Sequence, residues 1–277
     1  MQVSRFYQNI ARLFSNPGLA LDFIGYIYSK VRHQGKAVRH LYKGASITGF
    51  SGFSEYHSCA EFVEAHEYAF LTEYPLPTGT VLDVGANLGI VSLVLAHRYP
   101  NRTIHAFEPN PSTVQSLERN IVLNQASNIV VQDVAVGDTD GSIRFSAHPQ
   151  NRGTARQTVK DTEYTQTVPC RTLDTYVQEE NIGEIGLLKV DVEGYEKSVF
   201  EGAAEVLREQ QACIVYFEVC PNLTRKAGFD PSAPAEMLRD FGYMLHRLSR
   251  DGKLEKAQIT DTENVGLENW VAVSSPY

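Results

Sequence analysis

The chain has 277 residues, and its 25 basic and 33 acidic side chains give a net charge of −8. This length allows one large α/β domain with an extension, and a hydrophobic fraction of 43% is that of an ordinary soluble globular protein. The acidic balance argues against a nucleic-acid partner, because a phosphate backbone attracts clustered Lys and Arg.

Residues 1–75 contain no glycine-rich loop and show an irregular helical spacing of apolar residues, interrupted at Pro17-Gly18. A second helical stretch is predicted over 58–71. We therefore predict a helical N-terminal extension over 1–75, followed by a domain over 76–277. The extension has three interpretations: a lid or dimerisation arm that makes a homo-oligomer, a packing extension, or a membrane-surface helix over 19–32.

Targeting features point to a cytoplasmic protein. No secretory signal is visible, and the apolar segment 19–28 contains Asp22 and Gly25 and is shorter than the roughly 20 residues of a membrane span. We expect no membrane span. The chain has no Cys-x-x-Cys pair, so we predict reduced thiols and no zinc site for the four cysteines, Cys59, Cys170, Cys213 and Cys220.

From residue 78 onward, short apolar strands alternate with helices, which is typical of a parallel sheet with helices on both faces. Predicted strands cover 80–84, 103–107, 128–132, 185–190 and 212–219, with a closing pair at 243–248 and 269–273. Predicted helices cover 90–97, 111–124, 196–207 and 233–241. The middle holds strand-like segments at 142–146 and 166–171, and we interpret the polar segment 149–163 as a loop or lid. The sequence thus predicts a doubly wound, mostly parallel, seven-stranded α/β sheet.

The first predicted strand ends in a glycine turn with the sequence Asp-Val-Gly-Ala-Asn-Leu-Gly over 83–89. Such a turn delivers a ligand to a helix N-terminus, and its glycines permit close backbone approach. The pattern lacks the G-x-G-x-x-G spacing of a pyrophosphate-binding turn. An acid at the strand end suits a cationic group, such as an amino-acid ammonium. The candidate ligand residues are Asp83, Gly85, Asn87 and Gly89.

Two further strand ends carry candidate groups for a nucleoside. Glu108, followed by Pro109, ends the second strand, where a carboxylate can accept both ribose hydroxyl hydrogens. This feature is shared with NAD-binding proteins. After the third strand, Asp133 is a candidate partner for an adenine amino group, with Val134 and Ala135 as neighbouring contacts.

A cluster of carboxylates ends the fourth strand. Asp191 and Glu193 lie at the strand end and in the turn, and Glu218 ends the next predicted strand. Crowded carboxylates are costly unless they hold a cation, a metal or hydroxyl protons. Glu196 is equally explained by the dipole of the helix that it begins. These acids could bind Mg²⁺ through oxygen, and the sequence neither requires nor excludes that metal.

The ordered motifs at 81–89, Phe107-Glu108-Pro109 and 190–196, followed by Phe200-Glu201-Gly202-Ala203, resemble the FkbM-type methyltransferase family. The resemblance covers roughly 80–248. It implies a class I, Rossmann-like methyltransferase fold and S-adenosylmethionine as methyl donor, with S-adenosylhomocysteine as product. It also implies transfer to a hydroxyl of a natural product or glycan in most members of the family.

For such a transfer, Asp191 or Glu193 is the expected base or acceptor-orienting group, with Glu218 beside them. The side chains that compete for base or anion binding are His57, His66, His148, Arg152 and Arg156. Two other functions stay open at this point. One is an NAD-type oxidoreductase, which the departures from G-x-G-x-x-G weaken, and the other is a non-catalytic adenosyl-binding protein.

Overall fold

The computed structural model describes residues 17–40, 45–58, 65–148, 151–158, 162–209 and 211–274. The apolar positions before residue 17, Cys59 and the middle of the predicted helix 58–71 lie outside these ranges.

The N-terminal region combines helices with a small hairpin. It contains helices α1 (Pro17–Arg32), α2 (Phe53–Ser58) and α3 (Ala65–Glu73), and strands β1 (Val38–His40) and β2 (Ser46–Thr48). The two strands pair antiparallel, so the predicted all-helical extension is wrong at this point. Three-residue strands are too short to show a period-2 pattern in the sequence.

The rest of the described chain follows the predicted alternation. The remaining strands are β3 (Thr80–Val84), β4 (Ile104–Phe107), β5 (Ile129–Gln132), β6 (Ala135–Val136), β7 (Gly141–His148), β8 (Asn151–Gln157), β9 (Thr165–Arg171), β10 (Ile185–Val190), β11 (Ile214–Val219), β12 (Tyr243–Leu248), β13 (Leu254–Lys256) and β14 (Glu268–Ser274). The remaining helices are α4 (Ile90–Arg98), α5 (Pro111–Asn124), α6 (Leu173–Glu179), α7 (Glu196–Glu201), α8 (Ala204–Arg208), α9 (Pro221–Ala227) and α10 (Ala233–Asp240).

The main sheet has the strand order β13-β12-β14-β11-β10-β3-β4-β5. Within this sheet, the neighbouring strands β5, β4, β3, β10 and β11 pair in parallel, and β14 pairs antiparallel with both β11 and β12. All seven predicted strands are present. The sheet has eight strands because β13 pairs with the edge strand β12, and its three residues give no sequence signal.

A second sheet of order β6-β9-β7-β8 follows β5 in the chain. The prediction of a loop or lid over 149–163 is therefore wrong for 151–157, which form β8 and pair antiparallel with β7. The segment reads Asn-Arg-Gly-Thr-Ala-Arg-Gln, so it has no apolar alternation. Its position at the edge of the sheet explains this composition, since an edge strand need not bury one face.

Helices cover both faces of the main sheet. Leu82, Leu188 and Phe217 belong to the core cluster shared with α6, α7 and α10, whereas their neighbours Val81, Leu187 and Tyr216 belong to the cluster shared with α4 and α5. Alternating strand residues thus point to opposite faces. This is the predicted doubly wound α/β arrangement.

Helix ends agree with the sequence in some places and differ in others. The Asn110 side chain accepts a hydrogen bond from Ser112 N at 3.1 Å, as expected for the N-cap of α5. The predicted helix over 196–207 is two short helices, separated at Gly202, where a Cβ would overlap the Gly137 carbonyl oxygen. None of the described helices is long and apolar enough to cross a membrane.

Candidate active site

The carboxyl ends of β3, β4 and β10 form one wall of a cavity of about 680 Å³. The turn after β3 lies against β4, because Gly85 N and Ala86 N both donate to the Phe107 carbonyl at 3.0 and 2.9 Å. Asp191 N donates to the Val84 carbonyl at 3.1 Å. In a doubly wound sheet, this edge is where ligands bind.

The two glycines of the turn have different tasks. Gly85 has a φ of +77°, and a Cβ on it would overlap the Asp191 carbonyl oxygen, so this close approach of β3 and β10 requires glycine. Gly89 has a φ of +85° and caps α4 at its N-terminus, where a Cβ would overlap Leu117 Cδ1. Gly85 lines the cavity, whereas Gly89 packs α4 against α5 behind it.

Glu108 is buried in the cavity wall, and the backbone orients its carboxylate. Asn87 N donates to Oε2 at 3.0 Å and Asn110 N donates to Oε1 at 2.9 Å. Burial raises the pKa of Glu108 to about 7, although these two hydrogen bonds favour the charged form. The Oδ1 atom of Asn87 is buried beside the turn without a hydrogen-bond partner among the described residues. The cavity thus presents two oriented acceptors next to the glycine turn.

Asp83 lies behind the wall and is not exposed. Its Oδ1 is 3.0 Å from Lys189 Nζ, and its Oδ2 accepts from Ser92 Oγ at 2.6 Å. Burial acts to lower the pKa of Lys189, but the carboxylates of Asp83 and Asp191 outweigh it and the pKa is raised. Asp83 therefore pairs with the chain's own ammonium and is not part of the cavity lining, although its position in the sequence indicated a ligand contact.

Lys189 also belongs to this wall, and no sequence motif predicted it. It is directly opposite Asp83 in the register of β10 and β3, and its Nζ donates to the Gly85 carbonyl at 2.8 Å. A lysine inside the apolar run Leu-Leu-Lys-Val was the available signal, since lysine is almost never fully buried without a partner.

Asp191, Glu193 and Glu218 line the cavity together. The Asp191 side chain is 42% exposed, and its Oδ2 is 3.8 Å from Lys189 Nζ. Glu218 is buried, and its Oε2 has no hydrogen-bond partner among the described residues. Burial, together with the negative charges of Asp191, Glu196 and Glu193, raises the pKa of Glu218 well above its usual range. These surroundings therefore favour the protonated form of Glu218.

Glu196 stabilises the turn before α7 and does not line the cavity. Its Oε1 accepts hydrogen bonds from Val192 N and Gly194 N, both at 3.2 Å. Burial raises the pKa of this carboxyl to about 7. The same turn holds Glu193 in the left-handed region with a φ of +58°, a conformation that is uncommon for a non-glycine residue. Glu196 thus supports the residues that face the cavity.

The third strand end is only partly at the site. Val134 and Ala135 line the cavity, as does Pro109. Asp133 is exposed and is not part of the cavity wall. Among the described residues, no three His, Cys, Asp or Glu side chains come together as a metal-binding set, so Asp191, Glu193 and Glu218 do not form the arrangement considered for Mg²⁺.

Another part of the cavity lining comes from α3 and from the ends of β12 and β14. Glu67 Oε1 accepts a hydrogen bond from Asn269 Nδ2 at 2.5 Å, and Asn269 is directly opposite Glu218 in the strand register. Arg247 forms a bidentate pair with Glu268 at 2.8 and 2.5 Å. These residues form no sequence motif, since they come from three distant segments.

The histidines and arginines considered as alternative bases or anion-binding groups lie in different parts of the protein. His66 lines the cavity, whereas His57 Nδ1 lies 2.7 Å from Asp22 Oδ2 in the N-terminal region. The side chains of His148, Arg152 and Arg156 lie outside the described part of the chain.

Comparison with known proteins gives consistent relatives. The chain is 31% identical over 160 residues to the 31-O-demethyl-FK506 methyltransferase FkbM of Streptomyces tacrolimicus, covering 47% of this chain and 61% of that protein. It is 29% identical over 149 residues to Methyltransferase 1 of Beauveria bassiana, covering 46% of this chain and 60% of that protein. It is 27% identical over 173 residues to the hexuronic acid methyltransferase AglP of Haloferax volcanii, covering 61% of this chain and 66% of that protein. Each match spans less than two thirds of the relative's length.

Among solved structures, a precorrin-6y C5,15-methyltransferase from Geobacter metallireducens aligns with a TM-score of 0.44 and 14% identity, covering 78% of this chain and 92% of that one. The profile of the methyltransferase FkbM domain matches residues 83–249, which is more than half of the chain and includes the glycine turn, Glu108, Asp191 and Glu218. The chain belongs to the FkbM methyltransferase family.

Proposed function

We propose that this chain is an S-adenosylmethionine-dependent methyltransferase that methylates a hydroxyl of a small molecule or glycan. The observation that carries the proposal is the buried carboxylate of Glu108, which two backbone N–H groups orient in the cavity beside the glycine turn. A carboxylate held in this way is suited to accept the hydrogens of both ribose hydroxyls.

The residues present fit an adenosyl ligand along this wall. Gly85 leaves room for close approach, and the Asn87 Oδ1 atom is an unpartnered buried acceptor for a donor of the ligand, such as its ammonium. We assign the adenine contacts to Val134 and Ala135, which line the cavity, and not to Asp133. Asp83 acts through Lys189, which holds the Gly85 carbonyl in place.

S-adenosylmethionine supplies an electrophilic methyl group when it is bound. The chain's own task is to align the acceptor hydroxyl with that carbon and to remove its proton. Asp191 is the proposed base, since its carboxylate is partly exposed and lines the cavity. Glu193 is placed to orient the acceptor. Protonated Glu218 can donate a hydrogen bond to an acceptor oxygen.

The acceptor side of the cavity belongs in part to the N-terminal extension. His66 and Glu67 of α3 line the same cavity as the glycine turn. We therefore propose that the extension over 1–75 completes the acceptor site of the methyltransferase domain over 76–277. A small-molecule or glycan acceptor agrees with the names of two relatives, which act on 31-O-demethyl-FK506 and on a hexuronic acid.

The test is calorimetric titration of the purified protein with S-adenosylmethionine, S-adenosylhomocysteine and NAD in parallel. We expect both adenosyl ligands to bind and NAD not to bind. Binding of NAD alone would overturn the proposal in favour of an oxidoreductase.

Asp191→Asn separates catalysis from cofactor binding: we expect it to keep cofactor affinity and to lose methyl transfer to any acceptor that the wild-type protein methylates.

A further inference from the structure

The outward positions of α1 are apolar. Five large side chains of this helix are 46–78% exposed: Leu21, Ile24, Ile27, Tyr28 and Val31. At about 100° per residue they fall within one arc of about 120°, which is the width of a stripe that normally faces a core. We call these five residues the α1 stripe.

The inward side of the same helix carries its contacts with the protein. Phe23 packs edge-to-face on Phe53 with ring centroids 5.0 Å apart, and Ser29 Oγ donates to the Val38 carbonyl at 2.7 Å. Asp22 is 3.2 Å from Arg39 and 2.7 Å from His57. These contacts fix the rotation of α1, so the α1 stripe faces outward in the folded protein.

The charge around the α1 stripe is opposite to that of the whole chain. Residues 17–40 contain four Lys or Arg and one acid, Asp22, in a protein with a net charge of −8. Arg32 and Lys36 are exposed, and the Lys30 ammonium lies 5.4 Å from the centre of the Tyr26 ring. An exposed apolar stripe flanked by cations, with a tyrosine at its edge, is the pattern of helices that lie in a membrane interface.

We propose that the α1 stripe docks on the surface of an anionic lipid bilayer, with α1 lying in the plane of the interface. The helix has 16 residues, fewer than the roughly 20 needed to span a bilayer, so it lies on the membrane and does not cross it. The cations beside the stripe face the lipid headgroups. This inference does not depend on the proposed catalytic function.

A second copy of this chain is the competing occupant. A standard protein interface uses about 20 to 30 residues a side, and the α1 stripe has five. If the same region of a second copy packed here, the cations of one copy would need acids of the other. The one acid within 17–40 is Asp22, which already pairs with Arg39 and His57. Charge complementarity therefore favours the anionic surface.

The test is co-sedimentation of the full chain with vesicles of phosphatidylglycerol and, separately, of phosphatidylcholine. We expect binding to the anionic vesicles and at least about tenfold weaker binding to the neutral ones.

Two double variants test the two parts of the surface separately. Ile24→Ser/Val31→Ser removes apolar surface, and Arg32→Glu/Lys36→Glu reverses the charge. Each double variant should weaken binding to the anionic vesicles about tenfold or more. Val122→Ser, at a side chain of α5 that is 78% exposed, is the matched control and should bind as the wild type does.

All positions in these variants are exposed, so folding should be retained, and circular dichroism checks this. Absence of wild-type binding to both kinds of vesicle would overturn the proposal, as would an equal loss in the Val122→Ser control. Light scattering separates the competing occupant: a wild-type dimer that Ile24→Ser/Val31→Ser converts to a monomer would show that a second copy covers the stripe.

Discussion

The charged form of Glu218 is unfavourable in the folded protein, because the side chain is buried beside other carboxylates of the cavity. Glu218 is 8% exposed and shares its surroundings with Asp191, Glu193 and Glu196. Burial also raises the pKa values of Glu108 and Glu196 to about 7. These three groups bind protons more tightly in the folded chain than in the unfolded chain, and stability therefore falls as pH rises through their folded pKa values.

We predict that the free energy of unfolding decreases from about pH 4.5, the ordinary pKa of a glutamate, to about pH 7 for Glu108 and Glu196, and on to higher pH for Glu218. Each pH unit between the unfolded and the folded pKa of a group costs about 1.4 kcal/mol. Glu218→Gln removes one titrating group and keeps its shape, so it should flatten this profile and stabilise the protein by about 1–3 kcal/mol near pH 8.5. Urea unfolding at several pH values measures both effects. Glu118→Gln, on the exposed side of α5, is the control, and an equal change in that variant would contradict the prediction.

Residue types at strand ends could be predicted from the sequence, but their partners could not. Asp191, Glu193, Glu218 and Glu108 line the cavity because parallel strands end at the same edge. The partner of Asp83 comes from a strand more than 100 positions later, and only the register of β3 and β10 brings Lys189 opposite it. The position of Asp83 at a strand end could therefore be predicted from the sequence. Its pairing with Lys189 could not, and the carboxylate was interpreted as a ligand contact.

At the scale of elements, the turn from β3 to α4 depends on backbone that only glycine can form. Gly85 adopts a φ of +77° at the point where the ends of β3 and β10 approach each other. The obstacle to any side chain there is the backbone carbonyl oxygen of Asp191, the residue that directly follows β10. The geometry of this wall of the cavity is thus fixed by packing between elements.

Gly85→Ala should destabilise the protein by about 2–5 kcal/mol, from the left-handed conformation and the overlap together, and should abolish adenosyl binding. Gly183→Ala is the matched control, because Gly183 lacks a positive φ and no atom lies within 4 Å of the added Cβ. Thermal unfolding measures the stability of the two variants, and titration with S-adenosylhomocysteine measures their affinity for the ligand. Equal stability of the two variants would show that the strand ends are free to separate.

Elements with a strong periodic signal were predictable, and those without one were not. The buried runs of β3, β10 and β11 are mostly apolar, as expected for a parallel sheet covered on both sides. The exceptions are Asp83, Lys189 and Glu218. In contrast, β8 and β13 lie at sheet edges with polar sequences, and pairing with β7 and β12 determines their structure. Tertiary pairing overrides weak local preference in such strands.

At the scale of the whole molecule, the N-terminal region is part of the core. Ile47 of β2 and Phe70 of α3 are fully buried and belong to the same hydrophobic cluster as β3 and α4. Backbone bonds from Ser46 and Thr48 to the side chains of Asn124 and Asn120, at 2.7 and 2.9 Å, join the hairpin to α5. The sequence could not decide between an arm and a packing extension, because both have amphipathic segments.

Phe70→Ala should lower the free energy of unfolding by about 3–5 kcal/mol, since it removes a buried ring from this shared cluster. Leu21→Ala, at a position that is 69% exposed on α1, should change it by less than about 0.5 kcal/mol. Urea unfolding of both variants gives the comparison. A small effect of Phe70→Ala would mean that the N-terminal region folds independently of the sheet.

We propose that Glu108 anchors the adenosyl cofactor, and one matched titration tests this role most directly. Wild type, Glu108→Ala and Glu118→Ala are titrated with S-adenosylhomocysteine in a calorimeter. Because hydrogen bonds to a charged group contribute about 1.5–3 kcal/mol, Glu108→Ala should bind about 10- to 100-fold more weakly. Glu118, an exposed glutamate of α5, should be replaceable without effect. Wild-type affinity in a folded Glu108→Ala protein would contradict the account.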